Sequence, residues 1–266
     1  QNCHKLYNTE GDMRSILIKS VTLVTEETMT TSDILIDGGM FQKVAPFIQD
    51  QVEETIDGKG LLAFPGFIDV HVHLNDPGFT WRETFEDGTM AAAAGGVTTI
   101  VDMPLQNDPA LNTGEAFEKK AKAMEGRAYV DLAFWGALLP ENLNKTEELN
   151  RKGVWALKAF IGPVSSDYRS IGYEDVRQAM ILAGKENILL GFHAEDFEMI
   201  REAEEKERSS RCDMKAFLNS RPLQAELFAV EKLIEMAKET GASIHICHVS
   251  HPDVARVISE ARRGAK

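Results

Sequence analysis

The spacing of apolar and polar residues changes along the chain at about residue 60. Residues 13–60 contain short segments in which apolar and polar residues alternate, such as Ser15–Thr25, and a turn sequence, Asp37-Gly38-Gly39. Alternation with a period of two is typical of half-buried strands, and an Asp-Gly pair between two such segments is a hairpin signal. The pattern predicts a small β region that is too thin to hold a core of its own.

From residue 61 onward, short continuous apolar segments alternate with amphipathic helical segments. The predicted strands are Phe67–Leu74, Thr98–Met103, Asp131–Leu138, Trp155–Ile161, Ile188–His193 and Ser243–Val249. The predicted helices include Gly114–Met124, Tyr173–Ala183, Leu223–Thr240 and Pro252–Arg263. Apolar strands that alternate with helices indicate an α/β fold with a parallel sheet covered on both faces.

An open doubly wound sheet and a closed (β/α)8 barrel both fit this alternation. Six βα units occupy residues 61–266, whereas a closed barrel needs eight units and typically about 250 residues. We therefore predict a TIM-type (β/α)8 barrel domain over residues 61–266 that is incomplete here, because the chain ends before strands 7 and 8.

Composition excludes several classes of function. The net charge is −13 and basic residues form no stripe, which argues against a nucleic-acid partner. No apolar segment approaches the roughly 18–20 residues that span a bilayer, so no membrane partner is expected.

Residues 1–12 are polar and lack the apolar core of a signal peptide, which predicts a tail or leader before Met13. Three scattered cysteines argue against a disulfide framework, and the cytoplasm is the expected compartment.

Five polar residues fall near the carboxyl ends of the predicted strands, where a parallel barrel builds its active site. They are His71, His73, Lys158, His193 and His248. A lone strand histidine is more often a packed core residue than a ligand. A His-x-His pair followed by an Asp-Pro-Gly loop, with two further histidines at other strand ends, instead favours a site for divalent metal ions.

Lys158 is the unusual member of this set because it interrupts an apolar strand. It could be an ion-paired lysine or one whose ammonium reaches solvent. Desolvation and nearby cations lower a lysine pKa, and the neutral amine can then add CO2 to form a carbamate that bridges two metals. We favour the bridging role beside four histidines. His245, three residues before His248, is predicted to face the opposite side of its strand.

Several sequence motifs resemble those of the cyclic amidohydrolases, the family of dihydroorotases, hydantoinases or dihydropyrimidinases, and allantoinases. The matching segments are Pro65–His73, Ala91–Asp102, Lys158-Ala159-Phe160, His193-Ala194-Glu195 and Cys247-His248-Val249-Ser250. The resemblance implies that the paired histidines, a carboxylated Lys158 and the two later histidines bind two divalent ions. Zinc is the first expectation, with iron, cobalt and manganese as alternatives.

The same resemblance implies further properties of the full-length protein. The barrel domain would follow the N-terminal part of a β-sandwich, formed here by residues 13–60. A metal-activated water would open a cyclic amide or ureide, and the protein would be a homo-oligomer, usually a tetramer. The catalytic residue is unknown, because the family's proton-accepting aspartate follows the eighth strand and would lie beyond Lys266.

Fewer residues bear on the subfamily. Asn75 stands where dihydroorotases carry an arginine, and Asp102–Leu105 differs from the Asp-Phe of hydantoinases. The segments Asn75-Asp76-Pro77-Gly78, Asp102–Leu105 and Ser220-Arg221-Pro222 are most similar to those of allantoinases. Allantoinases open the hydantoin ring of allantoin to give allantoate. Gln106 departs from the asparagine common there. Asn75 and Gln106 are the candidate substrate contacts. A hydantoinase or dihydropyrimidinase, a dihydroorotase, and an inactive homologue that acts as an assembly partner are the alternatives.

Overall fold

The computed structural model describes residues 14–164, 168–208 and 213–264. The predicted tail, residues 1–12, lies outside the described residues. The described residues divide into two compact units, one formed by those up to residue 68 together with 93–99, and the other by 69–92 and those from residue 100 onward. None of the helices in the described ranges combines the length and apolar character that a membrane crossing requires.

The first unit contains a separate five-stranded sheet. Its strands are β1 (Ile16–Val24), β2 (Met29–Asp37), β3 (Met40–Ala45), β4 (Glu54–Asp57) and β5 (Leu62–Ala63). The order is β3-β2-β1-β4, and β5 also pairs with β1. β2 and β3 are antiparallel and are joined at Gly38 and Gly39, which have φ values of 59° and 72°. The predicted hairpin turn is therefore confirmed, since two-residue hairpin turns favour residues with positive φ.

The second sheet has six strands that lie side by side in the order of the sequence. They are β6 (Phe67–Val72), β7 (Val97–Asp102), β8 (Asp131–Ala137), β9 (Ala156–Ile161), β10 (Leu190–Ala194) and β11 (Ile244–Ile246). The pairs from β8 to β11 are parallel. Sequential parallel strands separated by helices are the arrangement of a TIM-type barrel. The predicted fold class, an incomplete barrel of six βα units, is confirmed.

Helices separate the strands of the second sheet. They are α1 (Phe85–Ala94), α2 (Gly114–Met124), α3 (Thr146–Lys152), α4 (Tyr173–Glu186), α5 (Phe197–Arg208), α6 (Met214–Asn219), α7 (Leu223–Thr240) and α8 (Pro252–Gly264), with a 3-10 helix at Pro140–Lys145. Local sequence explains where two of these helices begin or end. The Thr113 side chain accepts a hydrogen bond from the Ala116 amide at the start of α2, and Gly241 ends α7 in the left-handed conformation.

One buried apolar cluster of the second unit consists of Val101, Met103, Trp135, Ala156 and Cys247. Trp135 is completely buried, and its indole NH donates to the Val70 carbonyl at 2.9 Å. A Cβ atom at position 191 would come within 2.5 Å of the Trp135 ring, so this cluster requires glycine there. Cys247 of this cluster directly precedes His248 and acts on Lys158, so the cluster adjoins the candidate site.

Candidate metal centre

The structure brings the four predicted histidines together from three strands. The ring centroids of His71 and His73 are 5.4 Å apart, and those of His71 and His248 are 5.3 Å apart. His193 and His248 are 4.9 Å apart. Residues from the beginning, middle and end of the second unit therefore form one cluster, which we call the four-histidine cluster.

Lys158 lies beside this cluster in β9 and is almost fully buried, with 1% of its surface exposed. Its Nζ has no hydrogen-bond partner and lies over the Phe160 ring, 4.8 Å from the centroid. Phe160 also stacks on His193 with ring centroids 5.2 Å apart. Burial lowers the pKa of the Lys158 amine, and the nearby Cys247 thiol acts in the opposite direction. The structure thus provides a desolvated amine without an ionic partner, which is the condition under which a lysine becomes neutral.

The electrostatic environment keeps three of the histidines neutral. Burial, followed by the Lys158 charge, lowers the pKa of both His71 and His248 to about 4. Burial also lowers the pKa of His73, although the Asp102 charge acts against it. A neutral imidazole has a free lone pair, so these rings are in the protonation state that a metal ligand needs at neutral pH.

His193 is held by a carboxylate. Its Nε2 lies 2.7 Å from Glu195 Oε2, and its Nδ1 lies 3.4 Å from His248 Nε2. The hydrogen bond to His193 is the largest of the effects that lower the pKa of Glu195. A carboxylate on one ring nitrogen directs the other nitrogen of a metal-binding histidine towards the ion. Glu195 belongs to the motif His193-Ala194-Glu195, and its spacing of two residues from His193 is the sequence signal for this role, which was not predicted.

The residues suit a metal centre by their chemistry, although they are not arranged around an ion. No three His, Cys, Asp or Glu side chains within the described ranges are placed so that they could jointly hold a metal ion. Two buried polar atoms at the cluster, His73 Nδ1 and Lys158 Nζ, have no hydrogen-bond partner. Buried polar atoms are normally satisfied, so these two require a further partner. Imidazoles together with a lysine that can be carboxylated form a donor set that accepts divalent ions.

The orientation predicted for His245 is wrong. Gly191 of β10 lies opposite Lys158 of β9 on one side and opposite His245 of β11 on the other. Residues that lie opposite one another in neighbouring strands share a face of the sheet, so His245 and Lys158 point to the same face. His245 packs against Trp135, with ring centroids 6.1 Å apart. The prediction assumed that side chains alternate between the two faces of the sheet as far as residue 248, whereas β11 already ends at Ile246. His248, with a φ of 36°, reaches the cluster through a turn of the backbone.

The two candidate substrate contacts, Asn75 and Gln106, meet each other. Asn75 Nδ2 donates to Gln106 Oε1 at 3.2 Å, and both residues have left-handed backbones, with φ values of 53° and 60°. Gln106 lines a cavity of about 180 Å³ whose walls include Phe79 and Tyr168. Left-handed backbone at non-glycine residues is uncommon and concentrates at functional sites.

A second cavity, of about 160 Å³, lies directly against His193 and His248. Glu226 in α7 lines it, and its carboxylate accepts hydrogen bonds from the backbone amide and the hydroxyl of Ser250. Glu226 is only 9% exposed. It therefore ties the segment that follows His248 to a helix, a role that the sequence analysis did not assign.

The chain matches the amidohydrolase family over residues 62–263, and it belongs to that family. It is similar to curated allantoinases, with 38% identity over 237 residues to that of Deinococcus radiodurans and 36% over 233 residues to that of Rubrobacter xylanophilus. These matches cover 88% and 87% of this chain but 53% and 51% of the relatives. The chain thus spans about half the length of these relatives.

Solved structures of related enzymes have the same fold. The L-hydantoinase (dihydropyrimidinase) of Arthrobacter aurescens superposes with a TM-score of 0.90 and is 27% identical, over 95% of this chain and 56% of that one. A dihydropyrimidinase from Brevibacillus agri superposes with a TM-score of 0.82 at 28% identity, over 94% of this chain and 55% of that one.

Proposed function

We propose that the full-length protein is a metal-dependent cyclic amidohydrolase that opens the hydantoin ring of allantoin to give allantoate. The observation that carries the proposal is the four-histidine cluster beside a buried lysine whose amine has no ionic partner among the described residues. The similarity to curated allantoinases supports the choice of substrate.

Two divalent ions bound at this cluster would supply Lewis acidity and a water acidified towards neutral pH. His71, His73, His193 and His248 would hold them together with Lys158, once its neutral amine has added CO2 and released a proton to form a carbamate. Burial, the largest cause of the low pKa values of His71 and His248, keeps both rings available to an ion at neutral pH. Glu195 fixes the tautomer and direction of the His193 ring.

Recognition of the substrate would rest on neutral hydrogen bonds. Asn75 and Gln106 present amide groups, which can both donate to a ring carbonyl and accept from a ring NH. A substrate carboxylate, as in dihydroorotate, would favour a paired arginine instead. The amide pair therefore suits an uncharged cyclic ureide such as allantoin.

A hydantoinase or dihydropyrimidinase is the second candidate, because the hydantoinase of Arthrobacter aurescens superposes with a TM-score of 0.90. The test is a substrate panel with full-length protein loaded with zinc, in which the ring-opened product of each substrate is quantified. We expect a higher kcat/KM for allantoin than for hydantoin, dihydrouracil or dihydroorotate. Preference for dihydrouracil or hydantoin would favour the second candidate. Metal-loaded protein that opens none of the four rings would favour an inactive homologue.

A further inference from the structure

Lys120 is a buried lysine on a helix whose other lysines are exposed. It belongs to α2, and only 2% of its surface is accessible, whereas Lys119 and Lys122 are exposed. Burying an ammonium is costly unless it is paired and hydrogen-bonded. The partners of Lys120 therefore reveal why the charge is kept inside.

The first partner is Asp102 at the carboxyl end of β7. Lys120 Nζ lies 2.5 Å from Asp102 Oδ2, and Asp102 is completely buried. The other carboxylate oxygen, Asp102 Oδ1, accepts a hydrogen bond of 2.9 Å from the backbone amide of Leu74. Leu74 directly follows His73, so this carboxylate fixes the backbone that carries the His-x-His pair.

The second partner is Asn107 in the loop after β7. Lys120 Nζ donates to Asn107 Oδ1 at 2.7 Å. The amide group of Asn107 in turn donates to the carbonyls of Met103 and Leu105, at 3.2 and 3.1 Å. The loop that carries Gln106 is therefore folded around Asn107, and Asn107 is oriented by Lys120.

We propose that Lys120 is a positioning residue that holds the His71–His73 strand end and the Gln106 loop in register with one another. The ammonium is the group that joins the two hydrogen-bond systems, because Asp102 contacts the strand end and Asn107 contacts the loop. A purely structural ion pair could be replaced by an apolar pair of similar volume with little loss, and sometimes with a gain in stability. The proposed role predicts instead that such a replacement weakens metal binding.

This inference rests on the proposed metal site, so the experiment measures metal binding directly. Full-length protein is stripped of metal, and its affinity for Zn²⁺ is measured by competition with a chromophoric chelator. Lys120→Met is compared with Lys122→Met, the same substitution two residues along on the exposed side of α2. We expect about a 10- to 100-fold weaker affinity for Lys120→Met, the range found when partners behind metal ligands are removed. Lys122→Met should bind as the wild type does.

The double variant Lys120→Met/Asp102→Asn keeps the experiment decisive if the single variant fails to fold, since it leaves no unpaired buried charge. We expect it to unfold at a temperature close to that of the wild type and still to bind Zn²⁺ at least about tenfold more weakly. Wild-type affinity in either Lys120 variant would overturn the proposal. So would failure of both variants to fold, because the role would then be structural. A wild-type protein without a zinc site would instead contradict the proposed function.

Discussion

At the scale of single residues, Lys158 carries the strongest prediction. In full-length protein, Lys158→Ala should reduce bound metal from two ions towards one or none and abolish ring opening, because the proposed bridging carbamate can no longer form. Metal analysis and the allantoin assay measure both effects. A short carboxylic acid added to the variant should restore part of the activity by replacing the bridge. Lys119→Ala, on the exposed side of α2, is the control. Two bound metals and normal turnover in the Lys158 variant would refute the carbamate.

Glu195 should matter through His193. Its carboxylate lies 2.7 Å from His193 Nε2, so Glu195→Ala releases the ring from its orientation. We expect zinc affinity to fall about 10- to 100-fold. The chelator competition measures this loss, and Glu198→Ala, an exposed position on α5, is the control. Unchanged affinity would mean that packing against Phe160 is sufficient to orient the ring.

The histidine pKa values predict how the stability of the metal-free protein depends on pH. Burial lowers the pKa of His71 and His248 from 6.5 to about 4, so between these values the unfolded chain binds more protons than the folded one. The free energy of unfolding should therefore fall as the pH is lowered from about 6.5 towards 4. Urea denaturation at a series of pH values measures this slope. His71→Gln should make it shallower, whereas His251→Gln, which leaves the cluster intact, should not.

Some of these residues could be found from sequence and others could not. The predicted metal ligands stood out because histidines and a lysine fall near the carboxyl ends of apolar strands. They are His71, His73, Lys158, His193 and His248. Lys120 gave no such signal. A lysine in an amphipathic helix is normally on the surface, and this one is buried only because Asp102 and Asn107, from another element, satisfy it.

At the scale of elements, the end of β11 shows what periodicity could not settle. The apolar segment Ser243–Val249 correctly indicates a sixth strand, but pairing with β10 covers only Ile244–Ile246. Hydrophobicity does not reveal where the backbone leaves the sheet, because the apolar residues Cys247 and Val249 lie beyond the end of the strand. The prediction placed His248 correctly near the strand end and gave His245 the wrong face for this one reason.

The connection between α7 and the segment after β11 gives a prediction at this scale. Glu226 accepts hydrogen bonds from the Ser250 amide and hydroxyl, and these hold the turn that presents His248. Glu226→Ala should loosen this turn, so that zinc affinity falls and amide hydrogen exchange at residues 247–250 accelerates. Glu231→Ala, an exposed position on the same helix, should change neither quantity. Exchange as slow as in the wild type would show that α7 does not hold the turn.

At the scale of the whole molecule, the sheet order determines how the 266-residue chain should behave when it is expressed alone. Within the described residues, β6 and β11 are the two ends of the sheet and each has a single neighbour. β6 also carries two exposed apolar side chains, Phe67 at 54% and Ile68 at 65%. Unpaired edges with exposed apolar residues promote association between chains. The order of six strands followed from counting apolar segments, whereas the pattern of apolar and polar residues does not indicate what covers these edges.

We therefore expect the 266-residue chain to associate in a concentration-dependent way and to be a poor catalyst. A longer chain that continues as far as the relatives do should pair both edges, because eight strands close such a barrel. It should also supply the proton acceptor expected from the family, and general acid–base help of this kind is worth about 10²–10⁴ in rate. Sedimentation velocity and the allantoin assay at matched zinc loading measure the two effects. If the 266-residue chain sediments as a monomer and turns over allantoin as fast as the longer chain, the six strands already form a sufficient site and the need for further strands is disproved.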